Sequence, residues 1–169
     1  MTDTSSEKRH ETCCYRLRVV DGVTTNMSGA VVAAEKADLE KKLKWLKKFP
    51  GKLGVGIMYV EITRVETGES HTFVFVGLGL GAGLSVTEST RGEGVTVCCS
   101  MTNCPTFDNF VGWGRMTMAS LQAAFGGMIA YFDFGTSGDC RLYFENVMFT
   151  TRGLGADIGT YIGYYIKIQ

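Results

Sequence analysis

Six cysteines and two histidines bring the most chemistry to this chain, so nucleophilic thiolates, disulfides and thiolate-bound metal are the first possibilities to weigh. The cysteines stand at Cys13, Cys14, Cys98, Cys99, Cys104 and Cys140. Thiolate zinc sites favour C-x-x-C knuckles with histidines nearby. Cys98, Cys99 and Cys104 lack both, so no metal is expected. A cysteine nucleophile needs a base within reach, and only His71, at the start of a predicted strand, could serve, since His10 stands in a polar tail. No apolar leader opens the chain, so the thiols are expected to stay reduced and to act as small buried hydrophobes. Each adjacent pair, Cys13 with Cys14 and Cys98 with Cys99, would send its two side chains to opposite faces of a strand.

Other candidate motifs are weaker. Gly77-Leu78-Gly79-Leu80-Gly81-Ala82 fits G-x-G-x-x-A, but a dinucleotide site needs a helix to open on those glycines. Strand and turn residues, Ser85 to Gly92, follow instead. No G-K-[ST], H-E-x-x-H or G-x-S-x-G pattern occurs. Asp133 and Glu145 lie in apolar surroundings of the kind that perturb a carboxylate, yet each stands alone. Arg115, next to Gly112-Trp113-Gly114, offers a guanidinium either to an anionic ligand or to Asp108 or Asp133. These residues do not assemble a reaction, and the chain reads as noncatalytic, with no cofactor.

The elements that must position such residues are mostly strands. Alternate glycines at Gly77, Gly79, Gly81 and Gly83 leave one face of a strand as bare backbone, open to close approach or coiling. Tyr15 to Val20 reads as a first strand. Val55 to Val65 and His71 to Val86 read as a hairpin across Glu66 to Ser70, and Val95 to Met101 as a short strand. Phe107 to Phe110 is expected to form a loop or one helical turn. From Met116 to Phe134 a pair of strands, or one long bent strand, across Gly126-Gly127 is preferred to a helix because Ile129 and Tyr131 run on in a β-like pattern. Arg141 to Thr151 is expected to turn at Arg152-Gly153 into a closing strand. There Ile158, Thr160, Ile162, Tyr164, Ile166 and Ile168 share one face, and Gly159, Tyr161, Gly163, Tyr165 and Lys167 the other. The one convincing helix is Ala33 to Phe49, with Leu39, Leu43 and Leu46 at helical spacing and Pro50-Gly51 to end it.

These elements predict a mainly β chain: a glycine-rich antiparallel barrel or strongly coiled sandwich of about seven to eight strands with one amphipathic helix. A polar N-terminal tail over residues 1–12 would precede a single domain over 13–169.

Seventeen basic and seventeen acidic residues balance to a formal charge of zero, which gives no global attraction to nucleic acid. No apolar run is long enough for a transmembrane helix, so the chain is expected in the cytoplasm when made, with leaderless export as an option. The functional expectation is a noncatalytic β-barrel module that binds a small apolar ligand or a protein partner, with Phe107, Phe110, Trp113, Arg115 and Tyr131 lining the site. The alternative is a leaderless membrane-active protein of bacterial-effector type, or the protein that neutralises one. It would use its glycine-rich strands and a helix surface of Lys41, Lys44, Trp45, Lys47 and Lys48.

Overall fold

The computed structural model describes residues 11–26, 52–83, 86–89, 92–138 and 140–169. Seven antiparallel strands, β1 (Glu11–Asn26), β2 (Lys52–Arg64), β3 (Ser70–Gly83), β4 (Val86–Ser89), β5 (Val95–Met101), β6 (Gly112–Ser137) and β7 (Cys140–Lys167), form one sheet among these residues. The sheet curls into a nearly closed barrel. One 3-10 turn, Phe107–Phe110, is the only helical element described. The expected helix over 33–49, and with it Lys41, Lys44, Trp45, Lys47 and Lys48, lies outside the described residues.

Register explains the closure. β5 pairs with the start of β1, β1 with β2, β2 with β3, and β3 with the second half of β7. β6 and β7 then form a hairpin that bends so far that each contributes two staves to the wall. β4 bridges Gly22–Thr25 of β1 and Thr151–Arg152 of β7. The β2–β3 hairpin and the limits of β5 match the expectation from alternation. The expected turn at Arg152-Gly153 does not form, because β7 runs unbroken from Cys140 to Lys167. Its partner stretch on β6 carries Gly126-Gly127, paired with Thr151 and Thr150, so both strands bend together and the ladder survives.

Glycine decides how tightly the wall can curve. Gly77, Gly79, Gly159 and Gly163 face inward together with Tyr161 and Tyr165. A Cβ on Gly79 would lie 2.2 Å from the Thr160 carbonyl oxygen, a separation no side chain tolerates, so the close approach of β3 to β7 there requires glycine. The interior is filled by aromatic rings. Phe110 packs edge-on against Phe134 at 5.2 Å, Phe134 on Tyr165 at 4.0 Å, and Phe75 on Tyr165 at 4.8 Å. The 3-10 turn inserts Phe107 and Phe110 into this core, and Asn109 fixes the turn by accepting the Thr106 backbone N–H at 2.7 Å.

The cysteines depart from the expectation of free thiols. They form three disulfides, Cys13–Cys104, Cys14–Cys98 and Cys99–Cys140. Cys13 and Cys14 stand opposite Cys99 and Cys98 in the β1–β5 register. Alternation turns Cys13 into the core while the Cys98 side chain faces solvent. No spacing in the sequence announces these pairs, because the partners are brought together by barrel closure. The Cys99–Cys140 bond ties β5 to the start of β7, where no ladder joins the two strands.

Candidate functional site

Among the described residues β6 pairs with β7 and with no other strand, so no ladder links its two halves where they meet. Gly114 permits that meeting: a Cβ there would lie 2.4 Å from the Asp133 carbonyl oxygen and equally near the Tyr165 ring. Beside this seam the outer wall opens into a slot of about 370 Å³ lined by Arg115, Thr117, Tyr131, Asp133 and Tyr143, a size in the range of small-ligand sites.

Charge in the slot centres on Asp133, whose side chain is 16% exposed. Its Oδ1 accepts the Gly135 backbone N–H at 2.9 Å, and its Oδ2 accepts from Arg115 and Arg141, each at 3.4 Å. Burial works against the charged carboxylate, but the Gly135 amide and the two guanidiniums outweigh it and hold the Asp133 carboxyl below its usual range. Both arginines are more than half exposed. The Arg141 guanidinium also lies over the Tyr143 ring, 4.7 Å from its centroid. Below the slot, Tyr165 donates its hydroxyl to the Arg115 backbone oxygen at 3.2 Å, and burial pushes its phenol well above the ordinary value.

Arg115 and Tyr131 come together in the slot, and Arg115 takes Asp133 as its partner. Asp108 instead accepts from Lys167 at 2.6 Å. Phe107 and Phe110 are buried in the aromatic core and do not join the slot. Trp113 is 74% exposed on the outer wall, one outward position from Arg115, with its ring edge-on to Tyr164 at 5.7 Å. Arg141 and Tyr143 were not singled out from sequence. Their only signal there is alternation along a strand, which every surface strand shows. His71 is committed to the Gln169 backbone oxygen and to Glu69, and all six cysteines are paired, so no thiolate–imidazole pair forms. The glycine motif Gly77 to Ala82 lies inside β3, with no helix to receive a phosphate. Among the described residues no group of three His, Cys, Asp or Glu could hold a metal.

The slot borders an exposed apolar face. Ile57, Val76, Tyr164 and Trp113 form one row across β2, β3, β7 and β6, because each is paired with the next. Leu78 and Ile162 form the adjoining row, which ends on Arg115. Leu78 is 59% exposed, Ile162 62% and Ile158 65%. On the other side of the barrel, β1 and β5 present Arg16, Thr96 and Ser100 to solvent. Among the described residues no helix is long and apolar enough to cross a membrane. No protein-family model, no curated protein and no solved structure matches this chain, so its function is read from the site alone.

Proposed function

We propose that the protein is a noncatalytic binding module that engages an apolar partner through the outer face of β2, β3, β7 and β6. One observation carries this reading: Ile57, Val76, Leu78, Ile162, Tyr164 and Trp113 are all exposed and contiguous on that face. A contiguous exposed apolar patch of this kind marks an interaction surface on a water-exposed protein. The barrel mouth is a weaker candidate, since Phe107 and Phe110 fill the core beside it. Three disulfides favour an oxidising compartment as the working environment, in place of a reducing cytoplasm.

The test is the fluorescence of an apolar dye, anilinonaphthalene sulfonate, added to the native protein and to a Leu78→Ser/Ile162→Ser variant. The native protein should bind the dye, and the variant should bind it several-fold less while keeping its β circular-dichroism spectrum. A native protein that leaves the dye dark would refute the reading.

A further inference from the structure

We propose that the partner of this face is the surface of an anionic phospholipid membrane, with a headgroup phosphate held between Arg115 and Arg141 in the slot. The proposal rests on the interaction reading above and names its partner. Three observations carry it, each on a different property of the wall.

The first is charge. Among the described residues, the outward positions of the apolar face carry no carboxylate: Val55, Ile57 and Tyr59 on β2, Val74, Val76 and Leu78 on β3, Ile158 to Ile166 on β7, and Trp113, Arg115, Thr117 and Ala119 on β6. The slot that adjoins it holds two guanidiniums against one carboxylate. Each guanidinium gives one terminal nitrogen to Asp133 and, among the described residues, donates to no other side chain. The remaining donors of a guanidinium fork suit a phosphate, which takes two parallel N–H bonds. Asp133 serves as a positioning residue that keeps the two forks side by side.

The second is the border of the face. Trp113 and Tyr164 stand at the slot edge and Tyr59 at the far edge, all exposed. Rings with an apolar body and a polar tip collect where hydrocarbon meets headgroups. The third is area. From Ile162 to Ile166 and across four strands the described apolar face measures about 14 Å by about 15 Å, on the order of 200 Å². That is about a quarter of the ~800 Å² that each partner of an ordinary stable protein interface contributes, whereas a bilayer needs no matching patch of fixed size. The polar β1–β5 side keeps the barrel from spanning, so the geometry is docking on one leaflet.

The experiment uses the full oxidised chain in a Trp45→Phe background, so that Trp113 alone reports. Vesicles of phosphatidylcholine, with and without phosphatidylserine, are added in turn, and inorganic phosphate alone is the control. The proposal expects a blue shift of Trp113 and co-sedimentation with the phosphatidylserine vesicles, and no shift with phosphate. Arg115→Gln/Arg141→Gln should weaken vesicle binding about thirtyfold, at roughly fivefold per cation at an anionic surface, with the thermal midpoint as the check on folding. Arg115→Lys/Arg141→Lys should recover part of that loss, because charge returns without the fork. Equal binding to both vesicle types, unchanged by the arginine variants, would overturn the headgroup slot and leave the apolar face as the docking surface. No vesicle binding, together with concentration-dependent self-association that Leu78→Ser/Ile162→Ser abolishes, would overturn the membrane proposal and give the face to a second copy. Failure of both vesicle binding and dye binding would remove the interaction reading itself.

Discussion

Asp133 shows how one residue can be both structural and functional. Its carboxylate is held below the usual range by Gly135, Arg141 and Arg115 against the cost of burial. Because its folded value is depressed, the stabilisation it gives is complete above the carboxyl range of the unfolded chain. It is lost as pH falls through the folded value. Asp133→Asn should therefore cost about 1.5–3 kcal/mol at neutral pH, the scale of hydrogen bonds to a charged group. In urea unfolding followed down through the acid range, native and variant midpoints should converge. A constant gap at all pH values would mean that the ion pairs contribute nothing. Tyr165, whose phenol is pushed up by burial and then by the Asp133 charge, makes a second prediction. In a spectroscopic alkaline titration of the seven tyrosines, the buried ones, Tyr165 among them, should ionise only together with unfolding, and Tyr165→Phe should lower the amplitude of that step by one phenol. The pairing of Arg115 with Asp133 was among the options visible in the sequence. The convergence of Arg141 on the same carboxylate was not, because it depends on the register of the β6–β7 hairpin, which shifts between Asp133 and Thr136.

At the scale of elements, the curvature of β3 against β7 rests on glycine facing inward. Gly79→Ala should destabilise the fold by about 1–3 kcal/mol, the usual cost of overpacking, since its Cβ would meet a backbone oxygen that cannot swing away. Gly68→Ala tests a different effect at the β2–β3 turn: space is open there, but φ is 72°. Its cost should be about 1–2 kcal/mol from the left-handed backbone alone. Chemical denaturation of both variants measures the two penalties separately. The β2–β3 hairpin was legible because polar turn residues separate two alternating runs. The unbroken β7 was not: Arg152-Gly153 has the composition of a turn, and only the paired glycines on β6 turn it into a shared bend.

For the whole molecule, barrel closure depends on covalent ties as well as ladders. Cys13–Cys104, Cys14–Cys98 and Cys99–Cys140 enclose 91, 84 and 41 residues of chain separation. In the chain-entropy account, loops of this size are each worth about 4–5 kcal/mol. The protein denatured without reductant should show no reactive thiol, and six after reduction. Reduction should lower the thermal midpoint by many degrees, and the Cys99→Ser/Cys140→Ser variant should lose the tie between β5 and β7 first. Free thiols in protein recovered from its own cells under alkylating conditions would place it in a reducing compartment and remove this source of stability.

Alternation and glycine placement in the sequence determined that the chain is built from antiparallel strands, where most of them lie, and that β3 leaves one face bare. These are local properties, fixed by which neighbouring side chains share a face. Tertiary structure alone decided which face turns inward. At Ile158 to Ile166 the isoleucines would be assigned to a core on hydropathy. The tight interior instead takes the glycine and tyrosine face, because only residues without a Cβ let β3 and β7 approach this closely. Closure likewise decided the disulfide partners and the meeting of Arg115 with Asp133, because those groups become adjacent only once the strands have paired and the wall has curled, whereas Arg141 reaches Asp133 locally across the β6–β7 hairpin.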